Sequence, residues 1–209
     1  MMSYVETANN AKKMLLKEFE KEYREFFGEQ KYVFGRGNVD SRIVLIGEAP
    51  GHNEVLKGEP FVGAAGKNLD SFMKALGIDR NELYITNAIK YRLSRINEST
   101  GREINRAATT QEIKSNVVWL QKEISILSPS LIVTMGNIPL KTVTGDVKNM
   151  NVSSVHGSLF DLRITGKNYQ VFSLYHPASI IYNKNLIQVY NNDIILLKDI
   201  IDDFKKQKN

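Results

Sequence analysis

Three side chains of types that do chemistry each stand at the end of a short apolar run. Glu48 comes directly after Arg42–Gly47 (RIVLIG), Asn87 closes Leu83–Asn87 (LYITN), and His176 follows Val171–Tyr175 (VFSLY). A carboxylate and an imidazole can exchange protons and steady charge, and an amide presents a donor and an acceptor together. Each residue also has a plainer role open to it. A carboxylate after a strand caps the next turn, an asparagine at a strand end makes an Asx-turn, and a histidine before proline bonds its own backbone. Taken singly, those roles suffice. Three such residues at one edge of one sheet would instead converge on a pocket, and that depends on the runs being neighbouring strands.

The runs have the character that this requires. They are β-branched and short, as suits strands buried on both faces, and Leu131–Gly136 (LIVTMG) makes a fourth. Helical patterns lie between them at Lys67–Leu76, Thr110–Leu127 and Asn137–Val143. The alternation predicts an α/β fold, a three-layer α/β/α sandwich with a central four-stranded parallel sheet, and right-handed crossovers. Ligands bind such sheets beyond the carboxyl ends of the strands, where Glu48, Asn87 and His176 fall. An amphipathic helix over 4–27, carrying Leu15, Leu16, Phe19, Tyr23 and Phe26, should end at Gly28. Residues 155–174 read as a hairpin leading into the last strand, and Leu186–Phe204 as a closing helix. Residues 92–109 are the longest stretch without periodicity, a length usually reserved for working loops. A chain of 209 residues suits one domain, and no boundary is expected within it.

Composition narrows the chemistry. Cysteine is absent, which removes disulfides, thiolate nucleophiles and cysteine-held metals together. The histidines, His52, His156 and His176, lack the close spacing of a zinc site, so no metal and no cofactor is expected. No apolar run approaches the ~18 residues of a membrane helix, and the first residues lack a secretory pattern, so the expected location is cytoplasmic with no membrane partner. The net charge of +5 suits a polyanionic partner, and seven Lys/Arg against four Asp/Glu gather between Arg80 and Lys114. Gly63–Lys67 (GAAGK) imitates a phosphate loop, but Phe61 and Asn68 occupy the positions that need Gly and Ser/Thr, so nucleotide hydrolysis is disfavoured.

At these residues the chain resembles the family 4 uracil-DNA glycosylases. Gly47–Gly51 (GEAPG), then Glu54, then Gly58–Gly66 (GEPFVGAAG) is similar to that family's first motif. Thr86–Lys90 (TNAIK) is similar to its second segment and His176–Ser179 (HPAS) to its last, in the same order and spacing across about residues 40 to 200. The family's four cluster-holding cysteines are missing. Tyr91 and Asn116 stand at two of their positions, so the iron–sulfur cluster cannot form, and aromatic packing around Phe26, Phe27, Tyr91 and Trp119 is expected instead. Leu93-Ser94-Arg95 also replaces a proline-rich stretch, and Val55 an acidic residue.

The resemblance implies a uracil-DNA glycosylase-like fold and hydrolysis of the N-glycosidic bond of uracil in DNA, after the base flips out. It assigns Glu48 to the sugar and its water, and His176 to the departing base. Asn87 would read the uracil edge, Phe61 would stack on it, Glu54 would line the pocket, and Ala49, Pro50 and Gly51 would lie close to the base. Phosphate contacts are expected from Lys67, Lys90 and Ser179, and a duplex wedge from Ile181 or Tyr182, for which ordinary core is the alternative. Hypoxanthine, xanthine and thymine opposite guanine are further candidate bases. The partner is then uracil-containing DNA, bound by a monomer. Two other readings remain: a DNA-binding member that has lost activity with the cluster, and a nucleoside or nucleotide hydrolase. Salt-sensitive binding without base release marks the first, and release from free deoxyuridine the second.

Overall fold

The computed structural model describes residues 4–179 and 183–206. Its framework is a six-stranded sheet in the order β1-β3-β2-β6-β8-β7. The inner strands β3 (Tyr84–Asn87), β2 (Ile43–Gly47), β6 (Leu131–Met135) and β8 (Lys167–Leu174) run parallel. They are the four runs read from the sequence, and β2, β3 and β6 are buried along their whole length. The sheet extends beyond the four expected strands. β1 (Arg36–Gly37) and β7 (Leu159–Ile164) pair antiparallel on its two edges. β7 and β8 form the expected hairpin, turned by Thr165 and Gly166, both at positive φ, the twist that a two-residue connection needs.

Helices cover both faces. On one, α3 (Ala64–Leu76) and α7 (Leu186–Lys206) pack Leu69, Phe72, Leu197 and Ile201 against Leu45, Val133 and Phe172. On the other, α4 (Thr110–Leu127) and α5 (Asn137–Thr144) pack Leu120, Ile124, Leu127 and Val143 against Val44, Ile46 and Ile132. The short helices α2 (His52–Lys57) and α6 (Val152–Val155) complete the layers. The aperiodic stretch proves partly ordered. β4 (Ser94–Ile96) and β5 (Glu103–Asn105) form a separate antiparallel ribbon. Burial does not hold it. Arg92 pairs with Glu103 at 2.6 Å and bonds Asn105 Oδ1 at 3.0 Å.

A third core lies where α1 (Tyr4–Phe27) meets α4 and the segment after β3. The Phe27 and Tyr91 rings lie 5.4 Å apart and tilted, as do those of Phe26 and Trp119 at 5.4 Å, so the aromatic packing expected here is present. The centre of this core is Tyr23, fully buried, with the rings of Phe27, Phe34 and Trp119 within 5.8 Å of it. Phe26 stays largely exposed. The residues at the family's cluster positions are used otherwise: Asn116 is fully buried and hydrogen-bonded to Tyr91, and it accepts from the Tyr23 hydroxyl. These groups do not fit an iron–sulfur cluster. The Tyr23 oxygen also accepts the Lys90 backbone N–H at 3.1 Å, and burial drives its own ionisation far above the ordinary range. Tyr23→Phe should therefore cost about 1–3 kcal/mol, because it strands two buried polar groups while keeping the ring. Urea unfolding with an unchanged m-value would measure this, and wild-type stability would refute it.

Candidate active site

The parallel register decides which side chains meet. Gly47 at the end of β2 lies beside Asn87 at the end of β3, and the ladder runs on past both, with Ala88 N donating to Gly47 O at 2.8 Å and Ile89 N to Glu48 O at 3.0 Å. Glu48 and Asn87 are thereby fixed as neighbours. His176 arrives from β8 across β6, and a Cβ at Gly136 would sit 3.4 Å from the His176 Cβ. The three residues line one cavity of about 590 Å³. Ala49, Pro50, Gly51, Glu54 and Phe61 line it as well, so the first motif and both distant residues share one space. A volume of this size belongs to the range of small-molecule pockets and has room for a pyrimidine with its sugar.

The floor depends on glycine. A Cβ at Gly47 would lie 2.3 Å from Phe61 Cζ and 2.6 Å from Asn87 Oδ1, so the ring and the amide reach over this strand end only because nothing projects from it. Phe61 is held in the left-handed region at φ 56°, a strained backbone for an aromatic residue. Arg80 secures it, donating from Nη2 to Pro60 O at 2.7 Å and to Phe61 O at 3.2 Å. Glu54, expected only to line the pocket, also braces it. Its buried Oε1 accepts the Gly63 N–H at 2.8 Å and ties α2 to the start of α3.

Burial acts oppositely on the two titratable groups. It pushes the Glu48 carboxyl above the usual carboxylate range, with the Ala108 N–H at 3.4 Å pulling it partway back. It lowers the His176 imidazole below its ordinary value, which favours the neutral ring. The Ala178 N–H donates to His176 Nδ1 at 3.1 Å, so the neutral ring carries its proton on Nε2. The site thus presents a carboxylate that takes up a proton readily, a neutral N–H donor and a two-way amide.

Three of the expected DNA contacts, Lys67, Lys90 and Ser179, fall among the described residues; none of them lines the cavity, and one is corrected. Lys90 is fully buried. Its Nζ pairs with Glu123 at 2.6 Å and donates to Thr86 Oγ1 at 2.8 Å and to Asn87 O at 2.5 Å, so it cannot reach a phosphate. It anchors the backbone that carries Asn87 instead. Lys67 is exposed on α3, and Ser179 is half-buried with its N–H on His176 O at 2.8 Å. Ile181 and Tyr182 lie outside the described residues. The cavity also has walls that the motifs did not supply: His52, Asn53, Leu93 and the stretch Asn105–Ala107. The aperiodic run of 92–109 directly after a strand end was the one signal for that stretch.

The sequence model of the uracil DNA glycosylase superfamily matches residues 34–195. Curated proteins agree. The chain is 35% identical to a type-4 uracil-DNA glycosylase of Archaeoglobus fulgidus over 78% of this chain and 78% of that protein. It is 33% identical to one of Sulfurisphaera tokodaii over 79% and 73%, and 32% identical to one of Thermotoga maritima over 85% and 81%.

The raised Glu48 carboxyl carries a stability signature. Below the unfolded carboxylate pKa the native acid is neutral and costs nothing. As pH rises through its elevated folded pKa, charge must form in a buried place and stability is lost. Glu48→Gln should therefore raise Tm relative to wild type by on the order of 1–3 °C at pH 7, and the gain should vanish near pH 4. A gain of equal size at both pH values would contradict this.

Proposed function

The chain belongs to the uracil-DNA glycosylase superfamily, and from that premise we propose that it hydrolyses the N-glycosidic bond of uracil in DNA for base-excision repair. The observation that carries this is the shared cavity of Glu48, Asn87, His176 and Phe61. A flipped uracil lies against the Phe61 ring, and the Asn87 amide reads its edge by one donor and one acceptor. As the C1′–N1 bond breaks, the base takes the electron pair and negative charge gathers on its oxygen, where the His176 Nε2–H donates. Glu48 steadies the sugar cation and takes a proton from the water whose oxygen bonds C1′. The products are an abasic sugar in the strand and a uracil anion, which takes a proton from solvent while Glu48 gives its proton up to solvent and returns to the carboxylate.

A neutral imidazole suits this task, because it can share its proton with the base without giving it up. The backbone of Ala49–Gly51 approaches the base, Glu54 braces the entrance loop, and Lys67 and Ser179 contact phosphates. The wedge residues are Ile181 or Tyr182. A monomer suffices, since all the site residues come from one chain, and the work lies in the cytoplasm, where DNA is reached.

Incubation with labelled oligonucleotides bearing uracil, hypoxanthine or xanthine, and with free deoxyuridine, tests this reading. Alkali-labile sites should form at uracil, with deoxyuridine untouched. A protein that binds the strands but leaves them intact would end it. Glu48→Gln and His176→Ala should each slow single-turnover release by about 10²–10⁴-fold, and Gly47→Ala by roughly 10²-fold through displacement of Phe61 and Asn87. The rate should climb with pH through the elevated Glu48 ionisation and level off above it, and this rise should be missing in Glu48→Gln.

A further inference from the structure

The cavity wall of Asn105–Ala107 leads straight to the catalytic carboxylate. The next residue, Ala108, aims its backbone N–H at Glu48 Oε1 from 3.4 Å. Among the described residues it is the one hydrogen-bond donor that this carboxylate has. At that length a hydrogen bond is near its limit, so a shift of a few tenths of an ångström decides whether it counts. Ala108 precedes Thr109, the N-cap of α4, and its place is set by how that first turn is held.

Two devices hold it. The first is a capping box: Glu112 N donates to Thr109 Oγ1 at 3.2 Å, and Thr109 N donates to Glu112 Oε2 at 2.8 Å. The second is Arg106, which also lines the cavity. Its guanidinium grips both Glu112 oxygens, Nη2 on Oε1 at 2.6 Å and Nη1 on Oε2 at 2.8 Å. It further donates from Nε to Ser94 O at 3.2 Å and from Nη1 to Ala107 O at 3.1 Å. One side chain therefore joins the ribbon, the residue before Ala108 and the first turn of α4. The hydrogen bonds from Arg106 chiefly, with those of Thr109, hold the Glu112 carboxyl down to about 2, so the fork stays charged wherever the protein is folded.

We propose that Arg106, acting through Glu112 and the Ala108 N–H, is a positioning residue for Glu48, setting both where the carboxylate lies and how readily it ionises. The proposal rests on Glu48 being the reacting carboxylate of a base-releasing site. A donor aimed at the charged form favours it, and the nearby positive end of α4 adds in the same sense. Without the fork, Ala107 and Ala108 are released from the helix start, the N–H drifts from Oε1, and the carboxyl holds its proton to higher pH.

The test uses Arg106→Gln, Glu112→Gln and Ala108→Pro, each checked for a wild-type circular dichroism spectrum. Gln at 112 can keep the capping box while losing the charged fork. Ala108→Pro deletes the N–H and leaves the ion pair in place. Single-turnover uracil release should fall about tenfold in all three, with DNA affinity little changed. The acid limb should move to higher pH by about 0.5–1 unit. Arg106→Lys, unable to form the fork, should not restore it. Carboxyl-carbon NMR of Glu48, read in every protein, should show the same upward shift without reference to turnover. Wild-type limbs and carboxyl titrations in folded Arg106→Gln and Glu112→Gln would overturn the proposal. A wild-type protein that releases no uracil would instead overturn the catalytic reading, while the NMR titration would still report whether the clamp acts.

Discussion

The end of β2 can hold the Asn87 amide and the Phe61 ring above it only because Gly47 has no side chain. Strands β3 and β2 are locked in register at Asn87 and Gly47, so the Asn87 amide has one direction in which to project, over the glycine. Phe61 reaches the same place from the other side, along a backbone kept in the left-handed region by Arg80. Everything else follows from that crowding. Glu48, one residue on, lines the same cavity, and His176 approaches across another glycine at the end of β6. The parallel sheet delivers four strand ends to one edge, and the missing Cβ atoms turn that edge into a cavity.

Desolvation then sorts the chemistry. The same burial that makes the carboxylate reluctant to ionise keeps the imidazole neutral, so one environment prepares an acceptor and a donor at once. The nearby charges that would spoil this are paired off. Lys90 and Glu123 neutralise each other beneath β3, and Arg106 and Glu112 do so at the start of α4. Both pairs serve as scaffolding, the first beneath Asn87 and the second beside Glu48. The aromatic core of Tyr23, Phe27, Tyr91 and Trp119 closes off the region behind them.

The inner strands, the hairpin and the main helices were legible because their apolar runs are long enough to carry a period. The edge strand β1 was not, since two exposed residues have none. The ribbon of β4 and β5 escaped notice for a related reason: polar pairs such as Arg92 with Glu103 hold it, rather than an apolar face. The meeting of Glu48, Asn87 and His176 in one cavity was readable from residue type and strand ends. Lys90 was misread because its partner lies 33 residues ahead, and a sequence shows a lysine without showing the glutamate that buries with it. Tyr23, the true centre of the third core, looked like any member of an amphipathic face until Asn116 was found beside it.

The account stands on an extruded uracil occupying the cavity between Phe61, Asn87, His176 and Glu48. A crystal structure with duplex DNA carrying a non-hydrolysable 2′-fluoro-deoxyuridine tests this most directly. The account predicts the uracil ring on Phe61, its edge on the Asn87 amide, its oxygen within hydrogen-bond reach of His176 Nε2 and the sugar above Glu48. A uracil still stacked in the duplex, or held anywhere else on the surface while the cavity stays clear of it, would contradict the account.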